Sequence, residues 1–328
     1  METYDLGLAW NWEYDRTFVQ TLSQTFQKRE LRLFEVGHHN VVEVLHALQK
    51  RELCWRAFWD RAGDSDGAFL PLVNWTERQP LFNLNEMAKA RRAWNKATMH
   101  LEFITAGVHT PYTLVLDPYQ THPQLPELDL NVLGVNFIIK PAHGGGGEGV
   151  VTGANSREQV AHVRQQHPTD HYLLQAHIAP AHIAGKPAWF RIIYCLGDQH
   201  ICWWNTDTHV YSLLTPTDQE LIDLPAIRAT MQTIAAVCGL DLFSSEIALM
   251  PDGRLIAVDY INDPLDLRLQ SCAADGVPDS IIAAIAEKIA EAIATLRPEQ
   301  SLQNHRNFLL QLLNSIRQTK KEPFKSNP

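Results

Sequence analysis

Cysteine is scarce in this 328-residue chain: five residues, at 54, 195, 202, 238 and 272, none in a C-x-x-C pair. That excludes a disulfide scaffold and reads as reduced, mostly buried thiols, so a cytoplasmic location is expected. Basic residues are outnumbered, 28 Lys and Arg against 37 Asp and Glu, for a formal net charge of -9. A broad grip on DNA or RNA needs the opposite balance, so no nucleic-acid partner is expected. No apolar run approaches the ~20 residues of a membrane-spanning helix, so no membrane partner is expected either. The opening METYDLGLAW has no basic stretch before its apolar run, and no secretory leader is expected. The Gly-x-Gly-x-x-Gly turn of a nicotinamide site is missing after Ala9 and after Val36. No Gly-Lys-Ser/Thr closes a Walker loop, and no His-Glu-x-x-His supports zinc.

What is present is globular: 45% hydrophobic and 20% charged residues, enough for one large core or a few smaller domains. Strand-like and helix-like segments alternate at the start, at 4–9, 14–27, 31–36, 40–50 and 53–59, which favours a parallel sheet covered by helices. Trp10-Asn11-Trp12 ends the first strand, where a parallel sheet exposes its ligand edge. A helix is expected from Asn85, as its cap, to about Thr105. Strands follow at 112–116, 136–140, 149–152, 172–175, 189–196 and 199–204, with helices at 156–166 and 225–238. Strands 246–250 and 255–260 form a hairpin through Pro251-Asp252-Gly253. Ile281, Ile285, Ile289 and Ile293 mark one apolar helical stripe, and Phe308, Leu309, Leu312, Leu313 and Ile316 another. Both read as core. Lys320, Lys321 and Lys325 read as a basic tail.

Two segments carry chemistry. In FIIKPAHGGGGEGVV (137–151), the consecutive Gly144, Gly145, Gly146 and Gly147 permit backbone angles closed to other residues. Their amides can wrap phosphate oxygens, and Lys140 adds a point positive charge. An ordinary flexible turn is the plainer reading of four glycines. In SSEIALMPDGRLIAVDYINDP (244–264), Glu246 and Asp259 can face each other across a hairpin, with Asn262 and Asp263 just beyond. Such hard oxygen donors suit Mg²⁺, with phosphate oxygens completing its shell. The plainer reading makes the two acids members of structural ion pairs. His143 beside the loop is a phosphate contact or a plain loop residue. Trp203 and Trp204 line an acceptor cleft or fill the core. Trp55 and Trp59 read as packing.

These segments, with NKATMHLEFITAGVHTPYT (95–113), YLLQAHI (172–178) and WFRIIYCLG (189–197), resemble the ATP-grasp superfamily, over about residues 1 to 300. The pattern is nearest to the carboxylate–amine ligases similar to the ribosomal-protein-glutamate and glutathione enzymes. The resemblance implies an α/β and α+β chain: an ATP-grasp fold behind an amino-terminal parallel-sheet domain. The implied divisions are 1–84, 85–130, 131–185 with the glycine loop, 186–300, and 301–328. It implies ATP and Mg²⁺ as cofactors. Lys96, Lys140 and Gly144–Gly147 would hold the nucleotide's phosphates, and Gln175, Ala176, His177 and Ile178 its adenine. Arg191 would steady the acyl group, and Glu246, Asp259 and Asn262 would hold the metal. The sequence departs from the family at the hinge, which lacks an acidic residue, at Trp189 in place of an Asp, and in the three-residue step from Asp259 to Asn262. Arg268, just beyond, is a candidate for a carboxylate or the transferred phosphate.

The implied reaction joins a carboxylic acid to an amine, on small-molecule, amino-acid or peptide substrates, through an acylphosphate. A kinase of the same fold acting on a hydroxyl, or a non-catalytic ATP-binding protein, are the alternatives. A homodimer is compatible with this class, though no segment requires one.

Overall fold

The computed structural model describes residues 1–296. The described residues divide into two compact units, residues 1–84 with 289–296, and residues 85–288. The stripe at 308–316 and the basic tail lie outside the described residues.

The first unit runs β1 (Glu2–Trp10), α1 (Arg16–Lys28), β2 (Leu33–Val36), α2 (Val41–Gln49), β3 (Leu53–Arg61), α3 (Leu70–Thr76) and β4 (Phe82–Leu84). The strands form a parallel sheet in the order β2-β1-β3-β4. Parallel pairing demands a crossover each time, and helix-period apolar faces supply it: Phe18, Leu22 and Phe26 of α1 are buried, as are Val41, Val44 and Leu48 of α2. Gly7 of β1 lies under Trp55, and a β-carbon there would come within 2.6 Å of the indole. Trp55 and Trp59 are core residues. The helix α3 and strand β4 carry no clear periodicity and are additions to the expected pattern.

One helix from Asn85 to Thr105 is expected; two are found, α4 (Met87–Trp94) and α5 (Lys96–Thr105). Asn95 between them is extended (φ -79°, ψ 100°), and its side chain accepts from the Thr98 amide at 2.9 Å. Asn is a better cap than helix-interior residue, and here the cap prevails. Asn85 caps nothing. Its backbone is left-handed at φ 54°, its Oδ1 accepts from the amides of Asp241 and Leu242, and its Nδ2 donates to Asp263.

The chain continues through β5 (Thr113–Leu116), β6 (Phe137–Pro141), β7 (Val151–Ala154), α6 (Arg157–Val163) and β8 (Tyr172–Gln175). These strands form an antiparallel sheet in the order β5-β8-β6-β7. Its core holds Phe137, Ile139, Val160 and Tyr172. A small pair, β9 (His182–Ile183) and β10 (Lys186–Pro187), precedes β11 (Trp189–Cys195), β12 (Asp198–Asn205) and β13 (Val210–Leu213). Then come α7 (Pro216–Leu221), α8 (Leu224–Cys238), β14 (Leu242–Leu249), β15 (Leu255–Asn262) and α9 (Asp279–Thr295), whose residues from 289 on are counted with the first unit. The larger antiparallel sheet is ordered β13-β12-β11-β14-β15. Phe190, Ile192, Phe243, Ile247 and Tyr260 pack with Met231 and Ile234 of α8 and Phe103 of α5 into one core. All four isoleucines of the α9 stripe are buried. Among the described residues no helix is long and apolar enough to cross a membrane.

Candidate active site

Lys140 is the penultimate residue of β6 and is only 7% exposed. Its Nζ donates to the Val258 carbonyl of β15 at 3.2 Å and lies 5.2 Å from the centre of the Tyr260 ring. Burial pulls its pKa down to about 8, opposed by the charge of Asp259. The end of β6, where the glycine loop starts, and the acid-bearing strand β15 therefore meet at one ammonium.

The loop that follows is built by backbone conformation. Gly144, Gly146, Gly147 and Gly149 all have positive φ, and a β-carbon on Gly145, Gly146 or Gly147 would meet open space. At Gly144, Gly146 and Gly147 it is thus the left-handed backbone, not crowding, that requires glycine, whereas at Gly149 a β-carbon would also meet His167 at 3.0 Å. The Lys96 ammonium donates to the Gly144 carbonyl, and the Lys96 amide donates to Ala142 O at 2.8 Å. The break at Asn95 is what starts a helix on Lys96 and delivers it to this loop. His143 is turned to Asp170, which receives its backbone amide and contacts its Nδ1, each at 2.8 Å.

On the larger sheet, Arg191 of β11 is opposite Glu246 of β14, and Glu246 is opposite Asp259 of β15. Cross-strand partners share a face. Arg191 donates from Nη1 to Glu246 Oε1 and from Nε to Ser244 Oγ, both at 3.1 Å. Its guanidinium carbon sits 4.5 Å over the Trp204 ring. Burial pushes the Glu246 carboxyl up, and neighbouring Asp259 adds to this while Arg191 opposes it.

Asn262 depends on an irregularity. Residues three apart on a regular strand face opposite ways. Here Ser244 pairs with Asn262 and Glu246 with Asp259, with a register shift between the two pairs. Two steps on β14 span three on β15, and the extra residue of this bulge turns Asn262 to the face of Asp259. Asp263 faces elsewhere: its carboxylate receives Asn85 Nδ2 at 2.6 Å and Trp94 Nε1 at 3.0 Å. Among the described residues, no three His, Cys, Asp or Glu side chains cluster as a self-sufficient metal site. Two carboxylates and one amide on one face form a partial set of hard donors, of the kind that suits Mg²⁺ when phosphate oxygens or water complete the shell.

A buried polar chain underlies these groups, and the sequence hid it because its members sit in apolar runs. His100 Nδ1 accepts from the Tyr260 hydroxyl at 2.7 Å, and Gln175 Nε2 donates to that hydroxyl at 2.9 Å and to Thr113 Oγ1 at 3.1 Å. Burial and the charge of Lys140 lower the His100 pKa to about 4, which keeps the ring neutral and able to accept.

The other candidates divide. Ala176 spends its amide on Tyr112 O at 2.8 Å, while the backbones of His177 and Ile178 make no backbone hydrogen bond among the described residues. Trp203 is core, stacked on Phe190 at 5.0 Å; Trp204 is the wall behind Arg191. Arg268 is not brought to this cluster by any contact above. Its guanidinium is held by Asp266 and Asp275, at 2.7 and 2.8 Å.

The sequence matches no protein-family model, and no curated protein is significantly similar to it. Solved structures are similar over nearly the whole chain. A RimK domain ATP-grasp protein from Sphaerobacter thermophilus superposes with a TM-score of 0.59 at 16% identity, over 87% of this chain and 98% of that one. The D-alanine–D-alanine ligase from Bacillus anthracis gives 0.59 at 13% identity, over 94% and 99%. The macrocyclase MdnC with its precursor peptide MdnA, from Microcystis aeruginosa, gives 0.59 at 13% identity, over 88% and 99%. The chain has the ATP-grasp fold. In an ATP-grasp chain of such low identity to its neighbours, the fold is shared and the chemistry has to be argued from the side chains.

Proposed function

We propose that this protein is an ATP- and Mg²⁺-dependent ligase that joins a carboxylic acid to an amine through an acylphosphate. The observation that carries the reading is the hydrogen bond from Lys140 Nζ to the Val258 carbonyl. It supports a single site in which the glycine loop and the acids of β14 and β15 serve the same triphosphate. The ligase and synthetase names borne by structures of the same fold, one of them complexed with ATP, support it too.

In this reading Lys140, Lys96 and the loop amides offset charge on the phosphoryl group in transfer. Glu246, Asp259 and Asn262 hold Mg²⁺, which when bound would neutralise charge on the phosphate oxygens. The acid substrate's carboxylate attacks the γ-phosphorus, ADP leaves, and the amine then displaces phosphate from the acyl carbon. Arg191, backed by Trp204, steadies the carboxylate and then the acylphosphate. The closed loop keeps water from that intermediate. The base lies along His177 and Ile178. Gln175 Oε1, buried with no partner among the described residues, fits a donor on the base edge. The free cysteines support a reducing, cytoplasmic setting.

The test is a product-resolved ATP turnover screen with paired carboxylic and amino acids. ADP and phosphate released only when both acid and amine are present is the expected result. Stable phosphate transfer to an acceptor would replace this reading with a kinase. ATP binding with neither product would end it.

A further inference from the structure

A run of glycines loses more conformational freedom on ordering than any other sequence, so a defined shape for the loop after β6 has to be imposed at its ends. The turn at 167–170, just before β8, takes hold of both. The Asp170 amide closes this turn by donating to His167 O at 3.1 Å. At the end of the turn, the Asp170 carboxylate is only 12% exposed and serves His143, the residue before the glycines. Its Oδ2 receives the His143 amide and its Oδ1 receives His143 Nδ1, each at 2.8 Å. The preceding amide, of Ala142, donates to His171 O at 2.8 Å. At the start of the turn, the His167 ring lies against Gly149, the last glycine, where a β-carbon would come within 3.0 Å of Nε2. The turn is itself fixed by the Gln120 amide, which donates to Pro168 O at 2.8 Å.

The polarity of this anchor runs one way. An ionised carboxylate only accepts, so His143 Nδ1 carries the proton and Nε2 is left to accept. Asn95 Nδ2 lies 3.3 Å from that Nε2, while Asn95 Oδ1 caps α5 at the Thr98 amide. The helix so capped begins with Lys96, whose ammonium donates to Gly144 O. Asp170 thus orients His143, His143 meets Asn95, and Asn95 starts the helix that brings Lys96 to the loop. An exposed histidine–aspartate pair would by itself be worth little. Here the same carboxylate also holds the backbone amide of His143, which fixes main chain as well as side chain. Amides and charges set in place beforehand need no rearrangement as the transition state forms. We infer that Asp170 and His143 are positioning residues for phosphoryl transfer, holding the glycine loop and Lys96 in the shape that receives the γ-phosphate.

The inference rests on the ligase reading for the identity of the loop's ligand, so its test has one arm without nucleotide. Glu148 lies within the loop and is exposed. A glutamate-specific protease acting on the full chain, with the products read by mass spectrometry, reports how often the loop opens. Cleavage after Glu148 should be about 10-fold faster in Asp170→Ala and in His143→Ala, because such cleavage follows the population of the open form. The second arm is steady-state turnover with a productive acid and amine pair. Both variants should lose about 10-fold or more in kcat through misplacement of the loop. The KM for ATP should change by less than about 3-fold, the pattern of an interaction realised in the transition state. His143→Asn places an N–H donor where Nδ1 stood and should recover most of the turnover that His143→Ala loses. Should Asp170→Ala fail to fold, the two His143 variants carry the test. Unchanged cleavage after Glu148 in His143→Ala, or an unchanged kcat beside an active parent, would overturn the inference. A parent chain that turns over no pair would instead end the ligase reading, and proteolysis alone would then decide whether the turn anchors the loop.

Discussion

Glu246 and Asp259 are partners across β14 and β15, and the ladder changes register on both sides of them. The two carboxylates are thus held on one face of a sheet. One of them is nearly buried: the Glu246 side chain is 15% exposed. Like charges so placed call for a cation, and Arg191 supplies only part of it. Asp259→Asn should therefore weaken Mg²⁺-dependent ATP binding by about 10-fold or more, a change of ~1.4 kcal/mol. ATP affinity titrated against Mg²⁺ is the measurement, and an unchanged metal dependence would remove Asp259 from the metal's shell.

Lys140→Ala should lower ADP formation by about 10²-fold or more, the usual cost of removing a preorganised charge at a transferring group. Steady-state turnover with any productive acid and amine pair measures it. Retained turnover would dissolve the site, because the link between loop and acids runs through this ammonium.

Tyr260→Phe should destabilise the fold by about 1–3 kcal/mol, because it leaves His100 Nδ1 and Gln175 Nε2 short of partners in a dry core. Urea denaturation of the two proteins gives the difference. A midpoint equal to that of the parent chain would mean that this hydroxyl bridges nothing.

Asp60 is the penultimate residue of β3 and accepts from the amides of Ala62 and Gly63 at 3.1 and 3.0 Å. Burial raises its pKa from 3.8 to about 6. An acid whose pKa is raised by folding binds its proton more tightly in the folded state. Its contribution is present in full below pH 3.8 and is lost as pH rises through about 6. Asp60→Asn keeps the acceptor for both amides and should flatten that stretch of the stability curve, by at most about 3 kcal/mol. Thermal unfolding from pH 4 to 7 reads the slope; parallel curves for parent and variant would refute it.

Much of the site was legible early because its signals are local. The glycines of the loop after β6, and the turn at Pro251-Asp252-Gly253 that makes β14 and β15 a hairpin, are statements about a few adjacent residues. That the first three strands pair in parallel was legible from the helix-period segments between them, though their order in the sheet was not. Asn85 was misread as a cap because its true partners, Asp241, Leu242 and Asp263, are 156 or more positions away. The capture of Arg268 by Asp266 and Asp275 was equally hidden, although its partners are near in sequence. A charge in a loop advertises availability until its neighbours' rotamers are known.

The sequence alone determined most of the strands and helices, though not α3, β4 or the break at Asn95, and it picked out the residue types that a phosphate and metal reading calls on. Periodicity and turn chemistry operate over a handful of residues, and no distant partner can alter them much. Only the tertiary structure decided that Lys140 reaches β15, that Arg191 faces Glu246, and that a bulge turns Asn262 toward Asp259. The first is a contact between two sheets, and the other two are matters of strand register, where a slip of one residue reverses every side chain and no local pattern records which slip occurs.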